Sequence, residues 1–226
     1  MVDFEGIEEE IIACTKCPRL VDWRESVART RRRAYQDVEY WGRPVPGFGD
    51  REARILAVGL APGAHGSNRT GRQFTGDGSG DFLFPSLYRA GLSTRDAFVS
   101  IDDGLELRDL YLTAVCRCVP PLNKPTPAEM LNCQPYLEEE IKLLDPRVIV
   151  CLGHLAFATV ARLHALRASE ARFSHGACFP AQGESQRQRW ILCSYHPSRQ
   201  NTQTGRLTPA MFDRIWKRAG ELAVDA

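Results

Sequence analysis

Four short apolar runs set the limits on what this chain can fold into: Ile55 to Leu60, Leu110 to Val115, Val148 to Leu152 and Trp190 to Tyr195. Each is bounded by turn or charged residues, and none alternates apolar with polar, so each predicts a strand buried on both faces. Helical patterns lie between and after them, over Gly80 to Ala90, Pro127 to Leu144, Leu155 to His164 and Pro209 to Ala223. Thr126-Pro127-Ala128-Glu129 reads as a capping box with proline in the first turn, and Thr208-Pro209 repeats the Thr and Pro. Strand then helix, repeated, predicts an α/β fold with three layers, α/β/α, around a central, mostly parallel four-stranded sheet. At 226 residues and 43% hydrophobic content, one domain over 1–226 is the simpler reading, with segment 1–34 preceding the strands.

In such a sheet, ligands sit past the carboxyl ends of the strands. Two stretches begin there. Gly59 to Gly80 carries seven glycines among polar groups, which makes backbone available for close approach to a ligand. Tyr195-His196-Pro197-Ser198-Arg199-Gln200-Asn201-Thr202 follows the last apolar run, and the two are expected to meet. The glycine-rich stretch contains neither G-x-x-x-x-G-K-[ST] nor a G-x-G-x-x-G opening a helix, so both phosphate-loop signatures fail.

The charge balance, 29 Lys and Arg against 28 Asp and Glu for a net +1, neither demands nor excludes a nucleic-acid partner. The basic run Arg24, Arg29, Arg31, Arg32, Arg33 is either a solvated face or a phosphate contact. No apolar run is long enough to span a bilayer, and Met1 to Glu5 lacks the regions of a signal peptide, so a cytoplasmic protein is expected. Eight cysteines are many for that compartment and point to metal binding. Cys14 and Cys17 form a CxxC, with Cys118 and Cys133 further on. Such a set suits structural zinc or an iron–sulfur cluster, and the lack of a second CxxC favours the cluster. Cys116 competes with Cys118 as a ligand, Cys151 and Cys193 read as core, and Cys178 reads as a free thiol in a loop.

The motifs Gly59-Leu60-Ala61-Pro62-Gly63, Arg69-Thr70-Gly71-Arg72-Gln73-Phe74, Cys118-Val119-Pro120-Pro121-Leu122-Asn123 and His196-Pro197-Ser198-Arg199-Gln200-Asn201 occur in that order. Together they resemble the uracil-DNA glycosylase superfamily, in its iron–sulfur branch, and there most closely the fifth family. The resemblance implies hydrolysis of the bond between uracil and deoxyribose in single- or double-stranded DNA, with the base flipped into a pocket. It also implies a 4Fe-4S cluster on Cys14, Cys17, Cys118 and Cys133, structural zinc being the alternative, and a monomer. Phe74 matches the residue that stacks on the base, and His196 the donor that stabilises the departing base. Ser198 and Arg199 match the loop that enters the minor groove, while Gly59, Ala61, Pro62 and Gly63 match the pocket floor.

Two departures qualify this picture. Related families carry a polar or acidic residue just after the first glycine of that motif, where this chain has Leu60 and Ala61. Asp77, between two glycines, and Asn123 are the candidates left to act on the attacking water, and both residue types also form turns. Ala114 stands where the sister family has an Asn that reads the uracil edge. Its loss relaxes discrimination and predicts a wider range of deaminated bases, hypoxanthine among them. The pocket motifs contain no Lys to form a Schiff base, which favours a monofunctional hydrolase. A different class, an iron–sulfur or zinc nucleic-acid-binding or redox module, accounts for the cysteines and leaves the other motifs without a purpose.

Overall fold

The computed structural model describes residues 3–167, 169–183 and 187–224. The four apolar runs form adjacent parallel strands: β2 (Ile55–Gly59), β3 (Leu110–Ala114), β4 (Val148–Leu152) and β6 (Gln188–Ser194). Their side chains are buried almost throughout, as parallel strands covered on both faces require. The sheet has six strands where the sequence predicts four, because two short antiparallel strands, β1 (Phe48–Gly49) and β5 (Cys178–Gln182), close its edges in the order β1-β3-β2-β4-β6-β5. Cys178 therefore lies in an edge strand and not in a loop.

Helices α4 (Gly78–Arg89) and α8 (Pro209–Val224) cover one face, packing Leu83, Phe84, Phe212 and Trp216 on Ile55, Leu112, Val150 and Leu192. Helices α5 (Pro127–Leu144) and α6 (His154–Leu163) cover the other, with Leu137, Ile141, Phe157 and Val160 on Leu56, Ile149, Cys151 and Cys193. Cys151 and Cys193 are core residues, as predicted. The capping box that starts α5 is complete: Thr126 N–H donates to Glu129 at 2.7 Å and Glu129 N–H returns to Thr126 Oγ1 at 3.3 Å. Glu129 also takes a bidentate pair of bonds from Arg19, at 2.8 and 2.7 Å, which ties α5 to the start of α2 (Pro18–Thr30). The first helix, α1 (Phe4–Ile12), docks Ile7 and Ile11 against Tyr136 of α5.

The chain leaves β2 for β3 on one side and returns past it to β4 on the other. The connection after β2 runs over the α4 face and that after β4 over the α6 face, so the sheet opens a crevice beyond the ends of β2 and β4. Among the described residues, no helix is long and apolar enough to cross a membrane.

Candidate active site

The crevice is filled by the two predicted stretches. Leaving β2, the chain turns through Pro62 and Gly63 into a one-turn helix, α3 (Ser67–Thr70), before α4. Arg69 holds this loop in shape, donating to the His65 carbonyl at 2.8 Å and the Gly76 carbonyl at 3.0 Å. Phe74 follows with φ at +56°, a left-handed backbone that costs a non-glycine residue free energy and concentrates at working sites. That turn sends its ring to the strand end: a Cβ on Gly59 would lie 2.5 Å from Phe74 Cζ. Only glycine admits the ring there. Ala114 is the register partner of Gly59 at the end of β3 and is buried.

His196 comes from beyond β6. Its ring centroid stands 6.1 Å from that of Phe74, at an interplanar angle of 31°. Its loop closes on itself through Asn201, whose Nδ2 donates to the His196 carbonyl at 2.9 Å. Gly153, at the end of β4, lies against the histidine with φ at +102°, a backbone conformation that favours glycine. Burial lowers the His196 pKa to about 4, so the imidazole is neutral at pH 7 and offers an N–H without a charge.

Asp77 divides its two carboxylate oxygens. Oδ1 caps α4, accepting from Ser79 N–H at 2.9 Å and Gly80 N–H at 3.4 Å. Oδ2 faces the turn after β2, where a Cβ on Gly63 or Gly66 would come within 2.4 or 2.2 Å of it. The turn-forming reading of this residue is realised in the cap. Burial raises its pKa above the ordinary carboxylate value, against the pull of the two N–H bonds. Arg199, the first residue of α7 (Arg199–Gln203), lies over the start of α4, where a Cβ on Gly78 would meet its Nε at 2.7 Å. Ser198 is the N-cap of α7 and accepts at its carbonyl from Thr202 N–H at 3.0 Å.

The remaining predicted residues divide between the two sides of the sheet. Ala61 packs with the α5–α6 face, away from the cluster that holds Phe74, and Pro62 is buried. Asn123 sits on an exposed turn beside Leu122, both left-handed with φ near +55°. Among the described residues, no hydrogen bond joins the Asn123 side chain to Asp77 or His196.

All four predicted thiol ligands, Cys14, Cys17, Cys118 and Cys133, line one small pocket with Lys16, Arg24 and Arg117. Arg24 Nη1 donates to Cys118 Sγ at 3.0 Å, and Asn132 Nδ2 to Cys17 Sγ at 3.4 Å. The Nε–H groups of Arg24 and Arg117 are buried with no partner among the described residues, so donors and positive charge remain for a thiolate-bound group. A hydrogen bond from Cys116 pulls the Cys133 pKa down to about 6 and pushes that of Cys116 up. Cys116 does not line the pocket. No group of His, Cys, Asp and Glu among the described residues is gathered as a single-ion site.

Arg24 is the residue whose role the basic run concealed. It is almost fully buried, and its position between Leu20 and Val27, the buried stripe of α2, is the signal that separates it from its solvated neighbours. Gly66 carried no signal of its own beyond the glycine-rich stretch, because the carboxylate it admits, that of Asp77, reaches it only once the loop folds back on itself.

A model of the uracil DNA glycosylase superfamily matches residues 46–220. A type-5 uracil-DNA glycosylase of Thermus thermophilus is 53% identical over 223 residues, covering 98% of this chain and 99% of the relative. One from Mycobacterium leprae is 50% identical, covering 96% and 94%, and one from Pyrobaculum aerophilum 44%, covering 96% and 92%. A neutral histidine beside a glycine-seated aromatic ring, with a half-buried carboxylate against the turn after β2, thus occurs in a chain that matches these relatives almost end to end. The chain belongs to the uracil-DNA glycosylase superfamily and, within it, to the type-5 family.

Proposed function

We propose that this protein is a DNA-repair hydrolase that cuts the N-glycosidic bond of uracil in DNA and leaves an abasic site. The observation that carries the reading is the grouping of Phe74, His196 and Asp77 around the turn after β2, in a chain of this family. A flipped base stacks on the Phe74 ring. As the bond breaks, the electron pair leaves with the base and positive charge grows on the sugar. The neutral His196 N–H stabilises the base oxygen where the negative charge collects. Asp77, its pKa raised toward working pH by burial, takes the proton of the water whose oxygen joins the sugar carbon. Asn123 is the second candidate to orient that water. Arg199 and Ser198 face the strand, with Arg32 and Arg33, both exposed, as further phosphate contacts.

Ala114 in place of a polar reader widens the range of bases, and hypoxanthine is the proposed second substrate, in single- or double-stranded DNA. The reading implies a cytoplasmic protein that acts as a monomer, with 1–226 as one domain. Cys14, Cys17, Cys118 and Cys133 would hold a 4Fe-4S cluster, whose contribution is to crosslink residues 14–17 to the loop after β3 and to α5. Structural zinc is the second reading, and iron and zinc analysis of the purified protein separates the two. The activity is tested on end-labelled oligonucleotides with one uracil or one hypoxanthine. After alkali, the label is expected at the modified position; intact strands on every modified base would end the reading.

A further inference from the structure

His196 is held by the residue before it, and that residue is held by a second histidine. Tyr195 N–H donates to His175 Nδ1 at 3.2 Å, and the two rings stack at 5.1 Å between centroids, tilted by 29°. The Arg206 guanidinium stands 4.6 Å from the Tyr195 ring centroid. The Tyr195 carbonyl, which belongs to the same peptide unit as the His196 nitrogen, accepts from Ser194 Oγ at 2.9 Å. Both main-chain groups of Tyr195 are therefore fixed just before the chain delivers His196 to Phe74.

We propose that His175 is a positioning residue for the glycosylase reaction, a neutral hydrogen-bond acceptor that sets the direction of the His196 loop. The proposal rests on the glycosylase reading of this site. The tautomer follows from Tyr195: its N–H is aimed at Nδ1, so in the neutral ring the proton sits on Nε2 and Nδ1 accepts. A protonated ring carries N–H on both nitrogens, so it would set a donor against the Tyr195 donor. The bond then breaks and the stacked ring must move. The charged groups nearby oppose that proton. Burial lowers the His175 pKa below the usual histidine value, the Met211 backbone opposes this, and the charge of Arg214 on α8 adds to the lowering. Arg206 lies beyond the Tyr195 ring.

The test compares His175→Ala and His175→Asn with the wild type on single-stranded uracil DNA. Asn restores an acceptor near the Nδ1 position but does not titrate. His175→Ala is expected to lower kcat about tenfold with KM within twofold. His175→Asn is expected to recover most of that loss and to remove the fall in kcat that the wild type shows as His175 protonates, below about pH 6.5. The ¹⁵N resonance of His175 Nδ1 is expected in the range of an unprotonated acceptor, a readout independent of activity. A KM effect with kcat unchanged, an acid limb identical in all three proteins, or a protonated Nδ1 at pH 7.5 would each overturn the proposal. A wild type inactive on every modified base would instead refute the glycosylase reading, leaving the ¹⁵N measurement to decide on the hydrogen bond.

Discussion

Phe74 and His196 arrive from chain segments 122 positions apart and face each other with ring centroids at 6.1 Å. The phenylalanine could not do so without Gly59 behind it, because a Cβ there would lie 2.5 Å from its Cζ. Gly59→Ala places a methyl group inside the ring of Phe74, which must leave its seat. The expected result is a loss of kcat of at least tenfold, with less effect on DNA affinity, because the pocket floor moves while the exposed loops stay. Steady-state kinetics beside DNA-binding titration check this.

Asp77 supports both α4 and the reaction, and the two roles separate by substitution. Asparagine is as good an N-cap as aspartate, so Asp77→Asn is expected to keep thermal stability while kcat falls by about 10²–10⁴, the span of general acid–base catalysis. Asp77→Ala loses the cap as well, at about 1 kcal/mol. Thermal melts and turnover of the two variants decide the matter: equal loss of stability in both would make Asp77 chiefly structural.

The state of His196 sets a pH dependence. Its pKa is about 4 in the folded protein and about 6.5 in an unfolded chain. Between those values the unfolded state binds the proton and the folded state does not, so stability rises with pH there. The contribution is complete above about pH 6.5 and is lost as pH falls toward 4. His196→Gln is expected to flatten this slope in denaturant titrations and to lower kcat at pH 7.5 by about 10²–10³, the cost of one lost oxyanion donor.

The cysteines make a sharper test of the metal. On the proposed cluster assignment, Ser in place of Cys14, Cys17, Cys118 or Cys133 is expected to abolish the iron content and broad visible absorption that such a cluster would give the purified protein. Cys116→Ser is expected to keep both, because Cys116 stands outside the pocket that the other four line.

Ala114→Asn returns a polar reader to the strand end beside Gly59. Discrimination by buried polar groups is strong, because a wrong ligand leaves them unpaired. The variant is expected to raise the preference for uracil over hypoxanthine at least tenfold, measured as the ratio of kcat/KM values on matched oligonucleotides.

The parallel strands and the four helices that cover the sheet were legible in the sequence because each repeats its burial pattern over several residues. Pro127 to Leu144 ends where its pattern ends, and its cap is written in Thr126 and Glu129. The edge strands were not. Phe48–Gly49 is two residues long, and Cys178–Gln182 is half-exposed and contains Pro180, so neither offers a period to read. In the site, Phe74 and His196 stood out through their motifs. The division of the Asp77 oxygens did not, because it depends on Gly63 and Gly66 folding back across the start of α4. Arg24 was hidden for a related reason: its neighbours in sequence are solvated, and only packing sends it to Cys118.

The central claim is hydrolysis of a base–sugar bond in the Phe74–His196 pocket, and release of the free base measures it most directly. Wild-type protein on duplex DNA with one uracil is expected to release one equivalent of free uracil, the strand staying whole until alkali is added. No released uracil, or a strand nicked before alkali, would contradict it.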